Sequence, residues 1–204
     1  MSKFAIMGLP ASGKGTQAEI LSKEFNLTHI STGDLIRELI NMKKADEFTY
    51  NQQKTAHCKA INLLNDYNPA TGKYMSDTKM IEILKQFLPE DNYLLDGFPR
   101  TIQQVDAVDI DLVIFINVRK ETALKRMLSR NQNRSDDNVR AFQRRLNEFQ
   151  EKTQPVIDEF RKRGQLIEVD GERGFDLVYE TIKIELQQYF PEECWEPHKS
   201  MRIK

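Results

Sequence analysis

The chain has 204 residues, 39% hydrophobic and 30% charged, with 30 Lys plus Arg against 31 Asp plus Glu. This predicts one folded domain with a sizeable core and excludes wholesale disorder. The net charge of −1 gives no ground for a general nucleic-acid or membrane binder.

"KFAIMG" opens as a short apolar run ending in glycine and reads as a buried strand. "GKGTQAEILSKEF" follows with helical spacing at Ala18, Leu21 and Phe25. "LTHI" is a second short strand. In "STGDLIREL", Ser31 or Thr32 caps a helix with Leu35, Ile36 and Leu39 on one face. From Asn41 to Tyr74 the pattern loosens into a polar, partly helical stretch that ends at the Asn68-Pro69 and Thr71-Gly72 breakers. "SDTKMIEILKQFL" is a helix capped by Ser76 or Asp77 and stopped by Pro89.

"YLLDG" and "DLVIFINV" are continuous apolar runs of the kind that parallel sheets cover on both faces. "KETALKRMLSR" is helical. The stretch from Ser135 to Gly164 reads as a long helix with Val139, Phe142, Leu146 and Phe149 on one face, kinked or split near Pro155. "QLIEVDG" is a fifth strand, "FDLVYETIKIELQQYF" a closing amphipathic helix, and the tail around Trp195 has no period. This alternation predicts an α/β fold, a five-stranded parallel sheet with helices on both faces, in which ligands bind at the carboxyl ends of the strands. The longest apolar run, about seven residues, is far short of the roughly 18 needed to span a bilayer. "MSKFAIMG" is too short before its glycine to read as a signal peptide. Cys58 and Cys194 lie far apart and outside any C-x-x-C pair, which predicts reduced thiols in a cytoplasmic protein and no zinc site.

Four stretches carry chemistry. In "GLPASGKGT", Gly8, Gly13 and Lys14 have the G-x-x-x-x-G-K spacing of a phosphate loop, but Gly15 stands where Ser or Thr usually holds a metal, and the hydroxyl comes at Thr16. Amides there and the positive end of the next helix suit a polyphosphate, with Lys14 as a mobile point charge. The bland alternative is a tight turn with an exposed lysine.

In "LLDGFPRT", Asp96 ends a strand, where it can hold a hydrated magnesium ion, and Arg100 can grip a second phosphate; alternatively this is a solvated turn. "STGDLIR" offers Thr32, Asp34 and Arg37, which serve equally as helix-start residues apart from the cation Arg37, misplaced against the helix dipole. The series Arg119, Arg126, Arg130, Arg134, Arg140, Arg144 and Arg145 is, on spacing alone, most simply a solvated face, though "SRNQNRSDD" is polar enough for a mobile flap. The three histidines are scattered, and none forms a catalytic constellation.

Taken together and in this order, "GLPASGKGTQ", "STGDLIRE", "LLDGFPRTIQQ" and "RSDDN…RRL" closely resemble the adenylate kinase family of nucleoside monophosphate kinases. The GKGT loop is usual in that family, so no hydroxyl is required directly after Lys14. The resemblance implies a P-loop core (residues 1–30, 79–126 and 138–204), an acceptor-binding segment (31–78) and a short lid (127–137). It implies ATP as co-substrate, Mg²⁺ oriented through water by Asp96, and no zinc. Pro10, Ala11, Ser12, Gly13, Lys14, Gly15 and Thr16 would hold ATP phosphates, with Arg126 and Arg130 on the ATP side. Thr32, Arg37, Met75, Gly97, Arg100 and Gln104 would take AMP, Gln104 reading its adenine. Lys14, Arg100, Arg126, Arg134 and Arg145 would carry catalysis, with Arg134 and Arg145 also near the acceptor.

Three departures stand out. Ala11 replaces a usual glycine, "GKYMSD" replaces a G-K-L-V-T-D-like segment, and the stretch from Arg37 to Gly72 is longer than in typical members. The expected activity is reversible, direct in-line transfer from ATP to AMP, giving two ADP, in a monomer whose partners are nucleotides. A kinase of UMP, CMP or a deoxynucleotide, and a nucleotide-binding regulator with an inactive site, are the rival readings.

Overall fold

The computed structural model describes residues 2–44, 56–65, 67–71, 73–129 and 139–189. Five strands form one sheet: β1 (Lys3–Gly8), β2 (Thr28–Ser31), β3 (Tyr93–Asp96), β4 (Leu112–Asn117) and β5 (Leu166–Asp170). All pair in parallel, in the order β2-β3-β1-β4-β5. The apolar runs in β1, β3 and β4 take the three central places, where both faces are covered. The more polar "THIS" and "LIEVD" take the edges, where alternate residues meet water.

Register fixes what reaches the carboxyl edge. Ile6 pairs with Asp96, Ser31 also pairs with Asp96, and Gly8 pairs with Ile116. The phosphate loop and Asp96 are thereby adjacent. The chain leaving β1 leads towards β2, and the chain leaving β4 leads towards β5, so the two connections diverge at this edge, where such sheets open a crevice.

The helices are α1 (Lys14–Glu24), α2 (Thr32–Lys44), α3 (Ala56–Leu63), α4 (Asp77–Lys85), α5 (Lys120–Leu128), α6 (Val139–Glu148), α7 (Gln154–Lys162) and α8 (Phe175–Gln187). Ala18 and Leu21 of α1 and Ile36 and Leu39 of α2 are buried as their spacing predicts, while Phe25 and Leu35 pack only partly against the same core. The loose stretch before Tyr74 yields α3 and a short 3-10 turn, Pro69–Thr71.

The long helix expected after residue 135 is split. A π-helical turn, Phe149–Thr153, separates α6 from α7, and Pro155 sits in the first turn of α7. Proline lacks an N–H and crowds the carbonyl four residues back, so the ladder cannot run through that point. Phe142, Leu146 and Phe149 face the core as predicted, but Val139, the first residue of α6, is 56% exposed.

Candidate active site

The loop after β1 is shaped by backbone conformations that few residues accept. Ala11 has φ 64° and Gly13, the N-cap of α1, φ 97°. The left-handed conformation at position 11 costs an L-residue about 1 kcal/mol or more, so alanine is held there at some expense. A Cβ on Gly8 would lie 2.6 Å from Ser12 Oγ and 2.8 Å from the Ile116 carbonyl oxygen, which is why the first glycine cannot carry a side chain. The Ser12 N–H closes the turn onto the Leu9 carbonyl at 3.0 Å. Lys14 folds back over the loop, Nζ donating to the Leu9 carbonyl at 3.2 Å.

Gly15 has a spatial reason of its own. A Cβ there would stand 3.2 Å from Asp96 Oδ2, tighter than ordinary contact. The missing side chain makes room for the Asp96 carboxylate at the start of α1. Asp96 is 8% exposed yet borders the cleft, so its oxygens are presented to whatever occupies the loop. Among the described residues no group of three or more His, Cys, Asp or Glu could hold a metal ion. One carboxylate beside a phosphate cradle fits a magnesium ion that keeps most of its water, as this ion commonly does.

The rest of the cleft wall is built from β3's end, α2, the segment around residues 73–75, and α6. Gly97 turns the chain with φ 80°, and a Cβ there would meet Arg100 Nη2 at 2.8 Å. The Arg100 guanidinium folds back, Nε donating to the Gly97 carbonyl at 2.6 Å and Nη2 approaching Thr32 Oγ1 at 3.4 Å. It lies over the Tyr74 ring, 5.0 Å from the centroid, a cation–π contact. Thr153, in the π-helical turn, donates to the Arg100 carbonyl at 3.0 Å, and the Tyr74 hydroxyl is 3.1 Å from Thr153 Oγ1. Among the described residues no carboxylate pairs with Arg100. Arg37 pairs with Asp34 one helical turn earlier. Burial pushes the Tyr67 phenol up from its ordinary pKa, while Arg100, Arg145 and Arg37 each pull it down. Tyr67 and these three guanidinium groups line the same cleft.

The cleft has a volume of about 550 Å³, a size typical of small-ligand sites. It brings together Pro10, Ala11, Gly13, Lys14, Gly15 and Thr16 of the loop with Asp96. The same cleft is lined by Thr32, Arg37, Met75, Gly97, Arg100, Gln104 and Arg145. Ser12 and Arg126 do not line it. Arg126 donates to the Ser12 carbonyl at 3.0 Å and to the Gly171 carbonyl at 2.9 Å, tying the loop to the turn after β5. Arg130 and Arg134 lie outside the described residues, as does most of the expected lid.

Two expected caps resolve. Ser31 Oγ accepts the Asp34 N–H at 3.3 Å and caps α2, whereas the Thr32 hydroxyl sits 3.1 Å from the carbonyl oxygens of both Asp96 and Gly97. Ser76 precedes α4 without a capping bond, and Asp77 turns inward instead. Sequence reasoning missed Tyr74, Asp77 and Thr153. Tyr74 lies where "GKYMSD" departs from the family pattern, which was the available signal; Asp77 matches the closing aspartate of that pattern and reads as a helix-start acid, and Thr153 had no signal, because its partners are 53 and 79 residues away.

A family model described as adenylate kinase matches residues 6–165. The chain is 37% identical over 187 residues to UMP-CMP kinase 1 of Oryza sativa subsp. japonica, covering 87% of this chain and 71% of that protein. It is 32% identical over 185 residues to adenylate kinase of Encephalitozoon cuniculi (strain GB-M1), covering 89% and 96%. It is also 32% identical over 201 residues to adenylate kinase of Azobacteroides pseudotrichonymphae genomovar. CFP2, covering 93% and 100%.

Proposed function

The chain belongs to the adenylate kinase family of nucleoside monophosphate kinases, and from that premise we propose that it transfers the ATP γ-phosphoryl group to AMP, reversibly, giving two ADP. One observation carries this reading: a phosphate loop with Lys14 and three further cations, Arg37, Arg100 and Arg145, line a single cleft. A site for one nucleotide alone has no use for the second set of cations.

In this reading the loop amides and Lys14 hold the donor's β and γ phosphates, and Arg37 and Arg100 hold the acceptor's phosphate in line with them. Arg100 suits that task because it is oriented by Thr32, Tyr74 and Gly97 and, among the described residues, no carboxylate competes for its charge. Arg145 approaches from α6 and neutralises charge on the transferring group. Arg126 acts on the loop through the Ser12 carbonyl. Asp96 orients hydrated Mg²⁺, which when bound offsets phosphate charge. Neither an acyl nor a phosphoryl-enzyme intermediate is invoked, since positioning and charge neutralisation supply the catalysis. Residues 31–78 form the acceptor-binding segment, and the chain acts as a cytoplasmic monomer; among the described residues no helix is long and apolar enough to cross a membrane.

A second reading, a kinase of UMP or CMP, is favoured by the 37% identity to the rice relative. The test is an acceptor panel: purified protein with ATP, Mg²⁺ and AMP, UMP, CMP, GMP or dTMP separately, following diphosphate formation. Product chiefly with AMP supports the first reading. Product chiefly with a pyrimidine nucleotide replaces it with the second, and ATP binding without product on any acceptor contradicts both.

A further inference from the structure

Behind the arginine wall lies a polar cluster with no part in phosphate binding. Asp77 opens α4 but does not line the cleft. Its Oδ1 accepts from Thr101 Oγ1 at 2.8 Å and from Gln104 Nε2 at 2.7 Å. Gln104 is 2% exposed and does reach the cleft. Its Oε1 accepts the backbone N–H of Arg100 at 2.8 Å.

These two partners leave the carboxamide one orientation. A backbone N–H only donates and a carboxylate only accepts, so a flipped amide would set N–H against N–H and oxygen against oxygen. A primary amide has two N–H donors and two lone pairs. One of each is taken, leaving one N–H on Nε2 and one lone pair on Oε1. An unlocked glutamine can turn to match either hydrogen-bond pattern of a base edge; this one can match only one.

We propose that Asp77 is a positioning residue that locks the Gln104 carboxamide, so that the acceptor site takes bases with a ring-nitrogen acceptor beside an exocyclic amine and rejects lactam bases. Adenine (N1 and its 6-amine) and cytosine (N3 and its 4-amine) have the accepted pattern. Hypoxanthine and uracil present a ring N–H beside a carbonyl, the reverse. This rests on the reading of the cleft as the acceptor site of a monophosphate kinase, and it names the class of acceptor within that reading. It also separates CMP from UMP, two pyrimidine nucleotides of the same size.

The test compares bases within a ring size, AMP against IMP and CMP against UMP, by calorimetric binding to the full chain without ATP. The lock predicts that each amino base binds about 10-fold or more tighter than its lactam partner, the scale set by leaving buried polar groups mispaired. In Asp77→Asn, whose side chain both donates and accepts, the Arg100 N–H alone still favours the same orientation, and both ratios shrink by about 3-fold. Asp77→Ser, which keeps a polar side chain in the first turn but loses the charge, shrinks them similarly and serves if Asp77→Asn does not fold. Thr101→Val removes the other bond to Asp77; it lowers thermal stability but keeps both ratios.

Equal affinity of IMP with AMP and of UMP with CMP in the wild type overturns the proposal. So do unchanged ratios in the Asp77 variants despite lowered stability, which would make Asp77 a merely structural residue. Turnover separates this from the parent reading. Amino-base preference in binding without phosphoryl transfer supports the lock and contradicts the kinase reading, whereas transfer to all four acceptors alike supports the kinase and overturns the lock.

Discussion

The loop at residues 8–16 and the arginine wall of the same cleft hold their shapes in different ways. The loop is set mainly by its own backbone, with positive φ at Ala11 and Gly13, a side-chain-free Gly8 and a turn closed from Ser12 to Leu9, and one long-range tie from Arg126 to the Ser12 carbonyl. The wall is set by contacts that cross the chain. Arg100 reaches Thr32, 68 residues away, lies on Tyr74, and has its carbonyl held by Thr153. A locally shaped loop fails when one of its own residues changes. A wall assembled from four elements is adjustable from several of them, which suits the half of the site that must discriminate among acceptors.

The largest expected effect falls on both halves at once. Lys14→Ala and Arg100→Ala each lower kcat by about 10²-fold or more, the scale of a lost charge contact in the transition state. Initial-rate assays check this, and near-wild-type turnover in either variant removes that residue from the mechanism.

The next two predictions sharpen the contrast. Gly8→Ala should destabilise the fold by about 2 kcal/mol, because its Cβ would meet the backbone oxygen of Ile116 at 2.8 Å. Urea unfolding reads this directly, and an unchanged midpoint would mean the loop is less tightly set than its backbone suggests. Thr153→Val should leave the KM for ATP unchanged and raise the acceptor KM by about 5-fold, through the lost bond to the Arg100 carbonyl. Equal changes in both KM values would dissolve the distinction between the two halves. The smallest effect is Ala11→Gly, which relieves the left-handed alanine and raises stability by at most about 1 kcal/mol, since glycine also loses more entropy on folding. A loss of stability there would contradict the strain.

The same contrast explains how much could be read in advance. The three central strands follow from apolar runs bounded by glycine or polar residues, and the phosphate loop from spacing, because both signals are local. That Ala11 needs positive φ was legible from the glycine expected there. The Thr32 hydroxyl, facing β3 instead of capping α2, was not, since either role fits the same residue and only the pairing of Ser31 with Asp96 decides it. Pro155 announced a break without saying that a π-helical turn would carry Thr153 onto Arg100. Asp77 likewise reads as an ordinary helix-start acid until Gln104 is seen against it.

The central claim is that loop and wall are the two halves of one transfer site. The most direct measurement follows the label of γ-labelled ATP in the presence of AMP and Mg²⁺. The account predicts label in the β position of ADP formed from AMP, with little released as inorganic phosphate, because the acceptor phosphate and not water occupies the in-line position. Label appearing chiefly as inorganic phosphate, or remaining in ATP while both nucleotides are bound, would contradict it.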